Sequence, residues 1–170
     1  PLIAVTYTTP YEDDFNGVNI GWSTANPTGT PITQWELGAP TFGATSSCFS
    51  PPNCWDVNLT SAYGGNAACE LLSPMFDFSQ AVDPKMSFWR NNNCENAWDG
   101  VRLDYKIGVG TWTMLGGATL TAPCWVNWYN STPNLISSGQ PGWMGASGGW
   151  VKTEATCLPA IFNNQPQPVQ

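Results

Sequence analysis

The clearest alternation of hydrophobic and polar positions lies between residues 86 and 115. A strand pattern at 86–90 is followed by a polar loop at 91–100 and by a second alternating run at 101–107. Two glycines then make a turn into a third strand that starts at Trp112. Because side chains in a strand alternate between its faces, this period of two predicts strands with one buried face. The stretch therefore predicts antiparallel β-structure with a carboxylate-bearing loop at one end.

Shorter runs of the same kind lie on both sides and are separated by Gly, Pro, Ser and Thr. These runs are residues 2–7, 21–23, 34–38, 55–59, 67–72, 76–78 and 150–154. Residues 118–150 are less regular and read as a long connection, and no window shows a helical period with caps. We therefore predict an all-β fold, an antiparallel β-sandwich. One module is expected over residues 1–162, and residues 163–170 are either a linker or the start of a further strand.

The composition narrows the class of protein. Hydrophobic residues make up 42% of the 170 residues and charged residues only 10%, well below the quarter or so that is usual in globular domains. The net charge is −7, and the five basic residues form no cluster, so we expect no nucleic-acid partner. An anionic membrane surface would repel the chain, and no apolar run is long enough for membrane insertion.

The six cysteines predict disulfides and an oxidising compartment, since their number is even and the chain has no histidine. Zinc binding and buried free thiols are the alternatives, and the chain lacks a C-x-x-C pair for zinc. The expected pairs are Cys48–Cys54, Cys69–Cys94 and Cys124–Cys157. Pro1 is no natural start and no signal-peptide pattern follows it, so we expect a processed product or a segment of a larger parent chain.

The absence of histidine also removes the usual general base and the Ser–His and Cys–His nucleophile pairs. A carboxylate pair of the glycosidase type remains as a catalytic option. Its candidates are Glu36, Asp56, Glu70, Glu95, Asp99 and Asp104. Because no sequence run places two of them on one face of a strand, we predict that the chain is not an enzyme.

Two acidic segments are candidate cation sites. In the run 12–14, strand geometry would place Glu12 and Asp14 on one face, where their oxygens begin a calcium site. The alternative is a solvated acidic turn. The loop that carries Glu95 and Asp99 is the second candidate, and a polar loop closed by an Asp-Gly turn is the favoured interpretation there.

The ten tryptophans suggest carbohydrate binding, because sugars stack on exposed aromatic faces. Trp125, Trp128 and Trp143, together with Tyr129, lie in the irregular region where such a platform would form. The alternative is core packing, in which each ring buries a large apolar area. Core positions are expected above all for Trp22, Trp35, Trp89 and Trp112.

Several short motifs resemble the MAM-like jelly-roll domains. They are Tyr11-Glu12-Asp13-Asp14-Phe15 with Gly21-Trp22, Trp35 with Gly38, Cys69 to Pro74, Met86 to Trp89, Trp98-Asp99-Gly100, Gly110 to Gly116, and Gly148-Gly149-Trp150. The resemblance is to the bacterial branch, and it implies a module of large secreted or cell-surface proteins that are cargo of the type IX secretion system. In that family calcium ligands come from the acidic opening and from an acidic closing strand. Nothing after Glu154 is acidic, so the closing strand is expected to lie beyond Gln170 or to be missing.

The sequence thus predicts a non-catalytic extracellular module that serves a larger secreted or cell-surface protein in adhesion, interaction or spacing. Its expected ligand is a cell-surface partner or a glycan. The alternative is a carbohydrate-binding module attached to a polysaccharide-degrading enzyme. The exposure of Trp125, Trp128 and Trp143 separates the two, because a flat exposed row favours sugar binding and burial favours the structural module.

Overall fold

A computed structural model describes residues 6–18, 21–26, 33–117, 119–130 and 139–170. Most of the predicted entry strand at 2–7 lies outside these residues, as does part of the predicted long connection. The described strands are β1 Thr6–Thr8, β2 Ser23–Ala25, β3 Trp35–Gly38, β4 Cys54–Val57, β5 Glu70–Leu72, β6 Met75–Phe78, β7 Met86–Arg90, β8 Asp104–Tyr105, β9 Thr113–Met114, β10 Trp125–Val126, β11 Val151–Ala155 and β12 Gln165–Val169. Short 3-10 helices occupy Gly43–Thr45 and Ala160–Phe162.

The predicted all-β, antiparallel, disulfide-containing class is confirmed. Over the described residues the regular structure is strand and 3-10 turn, without an α-helix. The sheets are small and unclosed, with two or three strands each. They are compatible with a β-sandwich, and the jelly-roll connectivity stays a prediction.

The chain divides into two compact units, the first of which contains residues 1–76 and Gln170. In this unit β2 pairs with β5 and β3 pairs with β4, both antiparallel. Gly38 ends β3 opposite Cys54, and a Cβ atom at Gly38 would lie 2.8 Å from Leu59 Cδ1. A larger residue at Gly38 would therefore require the end of the Leu59 side chain to shift. The predicted Cys48–Cys54 disulfide is confirmed and closes the loop before β4.

The second unit contains residues 77–169. Its main sheet has the order β10-β11-β7, with Phe88 of β7 opposite Thr153 of β11 and Trp125 of β10 opposite Ala155. Strand β7 has the predicted bounds. The second alternating run is shorter than predicted, since β8 and β9 form a two-stranded antiparallel pair and Val101 and Ile107 make single bridges.

Aromatic rings form the core of the second unit. Trp128 packs against Trp125, Tyr129 and Trp143 at ring-centroid distances of 4.6, 5.2 and 5.3 Å. The predicted Cys124–Cys157 disulfide is confirmed and lies directly beyond the paired ends of β10 and β11. Segments with little regular structure, at 115–117, 119–130 and 139–146, thus supply much of the core, which the sequence pattern did not indicate.

The tail forms strand β12 over Gln165–Val169, and Val169 is buried with the core cluster. Residues 163–170 were predicted to be either a linker or the start of a further strand, and the structure contains the strand. The single module predicted over residues 1–162 stays a prediction, and each compact unit is described by itself.

Candidate functional site

The predicted glycan platform is wrong as an exposed surface. Trp125, Trp128 and Trp143 are only 8%, 5% and 3% exposed, because they pack on one another and on Tyr129. Two of the four rings expected in the core, Trp89 and Trp112, are instead 40% and 42% exposed. Trp22 and Trp35, the other two, are partly buried. Strand β7 turns Phe88 toward the core and Trp89 outward, a choice that two adjacent aromatic residues leave undetermined in the sequence.

Arg90 lies against this aromatic core, and within the described residues it forms no ion pair with a carboxylate. Its guanidinium carbon is 5.3 Å from the centre of the Trp143 ring. The Nε–H group donates to Thr153 Oγ1 at 3.0 Å, Nη2 donates to Asn127 O at 3.2 Å, and Nη1 donates to Asn92 Oδ1. Desolvation lowers the pKa of Arg90 to about 10. Neutral oxygen acceptors therefore hold this cation in place.

The carbonyl of Asn127 is the centre of this polar layer. Besides Arg90 it accepts the Trp143 indole N–H at 3.1 Å and the Thr153 hydroxyl at 3.4 Å. Asn127 adopts φ 51°, a left-handed conformation that asparagine tolerates better than most residues. This backbone turn lets one carbonyl accept three donors, so the arrangement is structural rather than open to a ligand.

The loop after β7 is hydrogen-bonded to the segment 143–147 at both of its ends. At one end Asn92 N donates to Ser147 Oγ at 3.0 Å, and Ser147 N donates to Asn92 O at 2.8 Å. At the other end Val101 and Trp143 exchange two backbone bonds of 3.1 and 2.8 Å. Between them the loop exposes Trp98, which is 63% accessible to solvent. The sequence pattern indicates a turn at Trp98-Asp99-Gly100 but does not indicate that its tryptophan is exposed.

The predicted Cys69–Cys94 disulfide is wrong, since both residues are free cysteines in the structure. Cys94 lies in the loop after β7, where its thiol contacts the carbonyl oxygens of Asp99 at 3.4 Å and Gly145 at 3.7 Å. Burial raises the pKa of both thiols, so the reactive thiolate form is disfavoured at neutral pH. The even cysteine count could not show which cysteines pair, because pairing depends on the distance between them in the fold.

The acidic opening does not have the predicted strand geometry. Residues 11–14 are irregular, and the partly buried carboxylate is Asp13, the one expected to point away. Asp13 accepts bonds from Tyr11 Oη at 2.8 Å, Phe15 N at 2.8 Å and Trp22 Nε1 at 3.0 Å. Burial and the Asp13 hydrogen bond raise the pKa of Tyr11 to about 12. Glu12 and Asp14 are exposed, and Asp14 accepts the backbone N–H of Asn16.

No group of three or more acidic or cysteine side chains suited to a metal ion occurs among the described residues. Neither the opening with Glu12 and Asp14 nor the loop with Glu95 and Asp99 forms such a group. Asp13, the most strongly anchored carboxylate of the opening, already satisfies three protein donors. A calcium ion at Glu12 and Asp14 therefore stays a prediction.

Two of the candidate catalytic carboxylates face each other across the β3–β4 pair. Glu36 and Asp56 are register partners, and such partners lie on one face with Cβ atoms roughly 5 Å apart. The sequence pattern does not reveal this pair, because the two carboxylates lie on different strands. Glu36 accepts the backbone N–H of Leu59 at 2.9 Å, and Asp56 accepts that of Val57 at 2.8 Å. Both carboxylates are thus used to fix the chain at and after the end of β4.

Burial raises the pKa of Asp56, outweighing the hydrogen bonds from Thr45 and Val57. Its folded-state pKa lies above the unfolded value of 3.8, so its ionisation disfavours the folded state. Stability linked to Asp56 is fully present below the unfolded pKa and falls as the pH rises through the folded pKa. Asp56→Asn should therefore stabilise the chain at pH 7 by less than about 1 kcal/mol and have no charge effect at pH 3. Urea melts at the two pH values measure this.

Asp77→Asn is the matched control with the opposite sign. Hydrogen bonds from the backbone and side chain of Ser79 lower the pKa of Asp77. The stability that the Asp77 carboxylate contributes is present above its unfolded-state pKa and is lost as the pH falls through its folded-state pKa. Asp77→Asn should therefore be less stable than the unmodified chain at pH 7. Equal behaviour of the two variants would contradict the assignment for Asp56.

A scan against protein-family models, a search of curated proteins and a search of solved structures each found no match to the chain. Within the described part of the chain no helix has the length and hydropathy needed to cross a membrane. The two disulfides fit an oxidising, extracellular type of environment.

Proposed function

We propose that the chain is a non-catalytic interaction or spacer module of a larger secreted or cell-surface protein. The observation that carries this proposal is the burial of Trp125, Trp128 and Trp143. The rings best suited to a binding platform instead pack a core that the Cys124–Cys157 disulfide closes. These three tryptophans therefore stabilise the fold and present no binding surface, as expected for a stable extracellular module.

The polar groups near this core support the same proposal. Arg90, Thr153 and Asn127 satisfy one another, and Glu36 and Asp56 bind backbone N–H groups. Side chains used in this way are not free to transfer protons to a substrate. The finer proposal is a MAM-like jelly-roll unit of a type IX secretion cargo protein, and it rests on the sequence motifs alone.

Calcium at the acidic opening is part of this proposal and has a direct test. A bound ion would raise the free energy of unfolding by about 2.7 kcal/mol at a concentration of 100 Kd. Thermal melts with calcium and with a chelator should then differ, and Glu12→Gln with Asp14→Asn should abolish the difference. An unchanged melting temperature in the original chain would contradict a calcium site.

The experiment that tests the function uses the oxidised chain coupled to beads. The beads are incubated with soluble polysaccharides and with cell-surface glycoproteins, and both retained material and released products are measured. Retention without product supports an interaction module, and neither retention nor product supports a spacer. Product release that Asp56→Asn or Glu36→Gln abolishes would overturn the proposal in favour of a carboxylate-pair hydrolase.

A further inference from the structure

Trp98 is the most exposed of the large aromatic side chains in the described residues, at 63%. Within that part of the chain its ring has no ring partner, and its indole N–H makes no hydrogen bond. An indole left in water forgoes the stabilisation that the other tryptophans obtain by burial. Trp98 therefore contributes little to the fold, and its exposure calls for another explanation.

Several backbone hydrogen bonds anchor the loop that carries Trp98. Besides the bonds at Asn92 and Val101, Cys94 N donates to Gly145 O at 3.1 Å and Asp99 N donates to Glu95 O at 2.9 Å. Ala97, directly before the tryptophan, has φ 66°, a strained value for a residue with a Cβ atom. Strain that the surrounding hydrogen bonds maintain is typical of positions that present a side chain to a ligand.

Exposed hydrogen-bonding groups lie in the same loop as Trp98. Asn93, Glu95 and Asn96 are exposed in the same loop, and the side chain of Asn96 lies close to Gly145. Amide and carboxylate oxygens and amide N–H groups suit sugar hydroxyls, which both donate and accept. A protein partner would require a larger apolar patch than one ring with the partly exposed Val101.

The charge of the loop favours an uncharged ligand. Between residues 91 and 101 the sequence contains Glu95 and Asp99 and no basic residue. An anionic glycan would meet like charge from these two carboxylates.

We infer that the Trp98 loop, residues 93–100, binds a neutral glycan, with the indole face stacked on a sugar ring and Asn93, Glu95 and Asn96 contacting its hydroxyls. The inference rests on the proposed interaction function and names its ligand class. It places the glycan site on a rigid loop of the second unit, away from the three buried tryptophans that the sequence favoured.

The test is affinity electrophoresis and calorimetry with soluble neutral β-glucan, xylan and mannan, with polygalacturonate as the anionic comparison. At least one neutral polymer should bind, and Trp98→Ala should weaken that binding by about tenfold or more, as expected for loss of an aromatic anchor. Trp112→Ala is the matched control, because Trp112 is also exposed and Lys106 Nζ lies 4.6 Å from its ring centre. Its binding should equal that of the unmodified chain.

Several outcomes would overturn the inference. They are binding of polygalacturonate alone, equal loss in the Trp98 and Trp112 variants, or full binding by Trp98→Ala with an unchanged melting temperature. If no glycan binds while the beads retain a protein partner, the glycan inference fails and the interaction function stands. Turnover of a bound polymer would instead overturn the proposed non-catalytic function.

Discussion

Replacing Trp143 by alanine is expected to lower the free energy of unfolding by about 3–5 kcal/mol, the range for truncating a buried aromatic side chain. Trp143 is 3% exposed, and its ring packs against Phe88, Trp128 and Tyr129 at centroid distances of 5.5, 5.3 and 4.7 Å. The substitution also removes the indole donor to Asn127 O and the ring beneath the Arg90 guanidinium. A loss of this size is a large fraction of the stability of a typical domain.

Urea unfolding followed by circular dichroism measures this loss, with Trp112→Ala and Trp143→Phe as controls. Trp112 is half-exposed, so its truncation should cost much less than that of Trp143. Trp143→Phe keeps an aromatic ring and removes the N–H donor, so it should lie between the two alanine variants. If Trp143→Ala unfolded at the same urea concentration as Trp112→Ala, the buried aromatic core would be contradicted.

The strands could be predicted better than the side-chain environments. Met86–Arg90 was predicted within its exact bounds because a period of two is a local signal. The burial of Trp125, Trp128 and Trp143 was not predictable in this way, because they belong to irregular chain with short or single pairings. Their environment depends on contacts between residues far apart in sequence, such as Arg90 with Thr153.

The geometry of the candidate sites also depends on the folded backbone, which the sequence pattern alone does not show. Glu12 and Asp14 were paired on the assumption of a strand, whereas the irregular backbone at 11–14 makes Asp13 the anchored carboxylate. Glu36 and Asp56 meet only because β3 and β4 pair in a particular register. Register is a property of the folded sheet, so a search along one strand could not find this pair.

The loop with Trp98 was predicted in part, since the sequence indicated its position but not the environment of its tryptophan. Its position after β7 was predicted from the polar run at 91–100. The exposure of Trp98 was not, because the sequence does not show that the neighbouring segment 143–147 holds the loop ends and leaves the indole uncovered. Its greater exposure, 63% against 40% and 42%, distinguishes this tryptophan from Trp89 and Trp112.

Removing the Cys124–Cys157 disulfide by a double alanine substitution is expected to cost more stability than removing Cys48–Cys54. The first bridge closes a sequence separation of 33 residues and the second a separation of 6. Loop-closure entropy in the unfolded chain gives about 3.7 kcal/mol for the longer loop and about 2.2 kcal/mol for the shorter one. The folded state should change little, because the β10–β11 register aligns Trp125 with Ala155 and Thr156 N donates to Cys124 O at 2.8 Å.

Urea melts of the two double variants in one buffer test this order, and the slope of the transition gives a second measurement. An unfolded chain released from the longer loop exposes more surface, so its slope should increase more than that of the shorter-loop variant. Reduction of the unmodified chain should reproduce the sum of the two losses, since the bridges lie in separate compact units and their effects should add. A larger loss for the Cys48–Cys54 variant would show that its bridge stabilises the folded loop before β4 directly, beyond its effect on the unfolded chain.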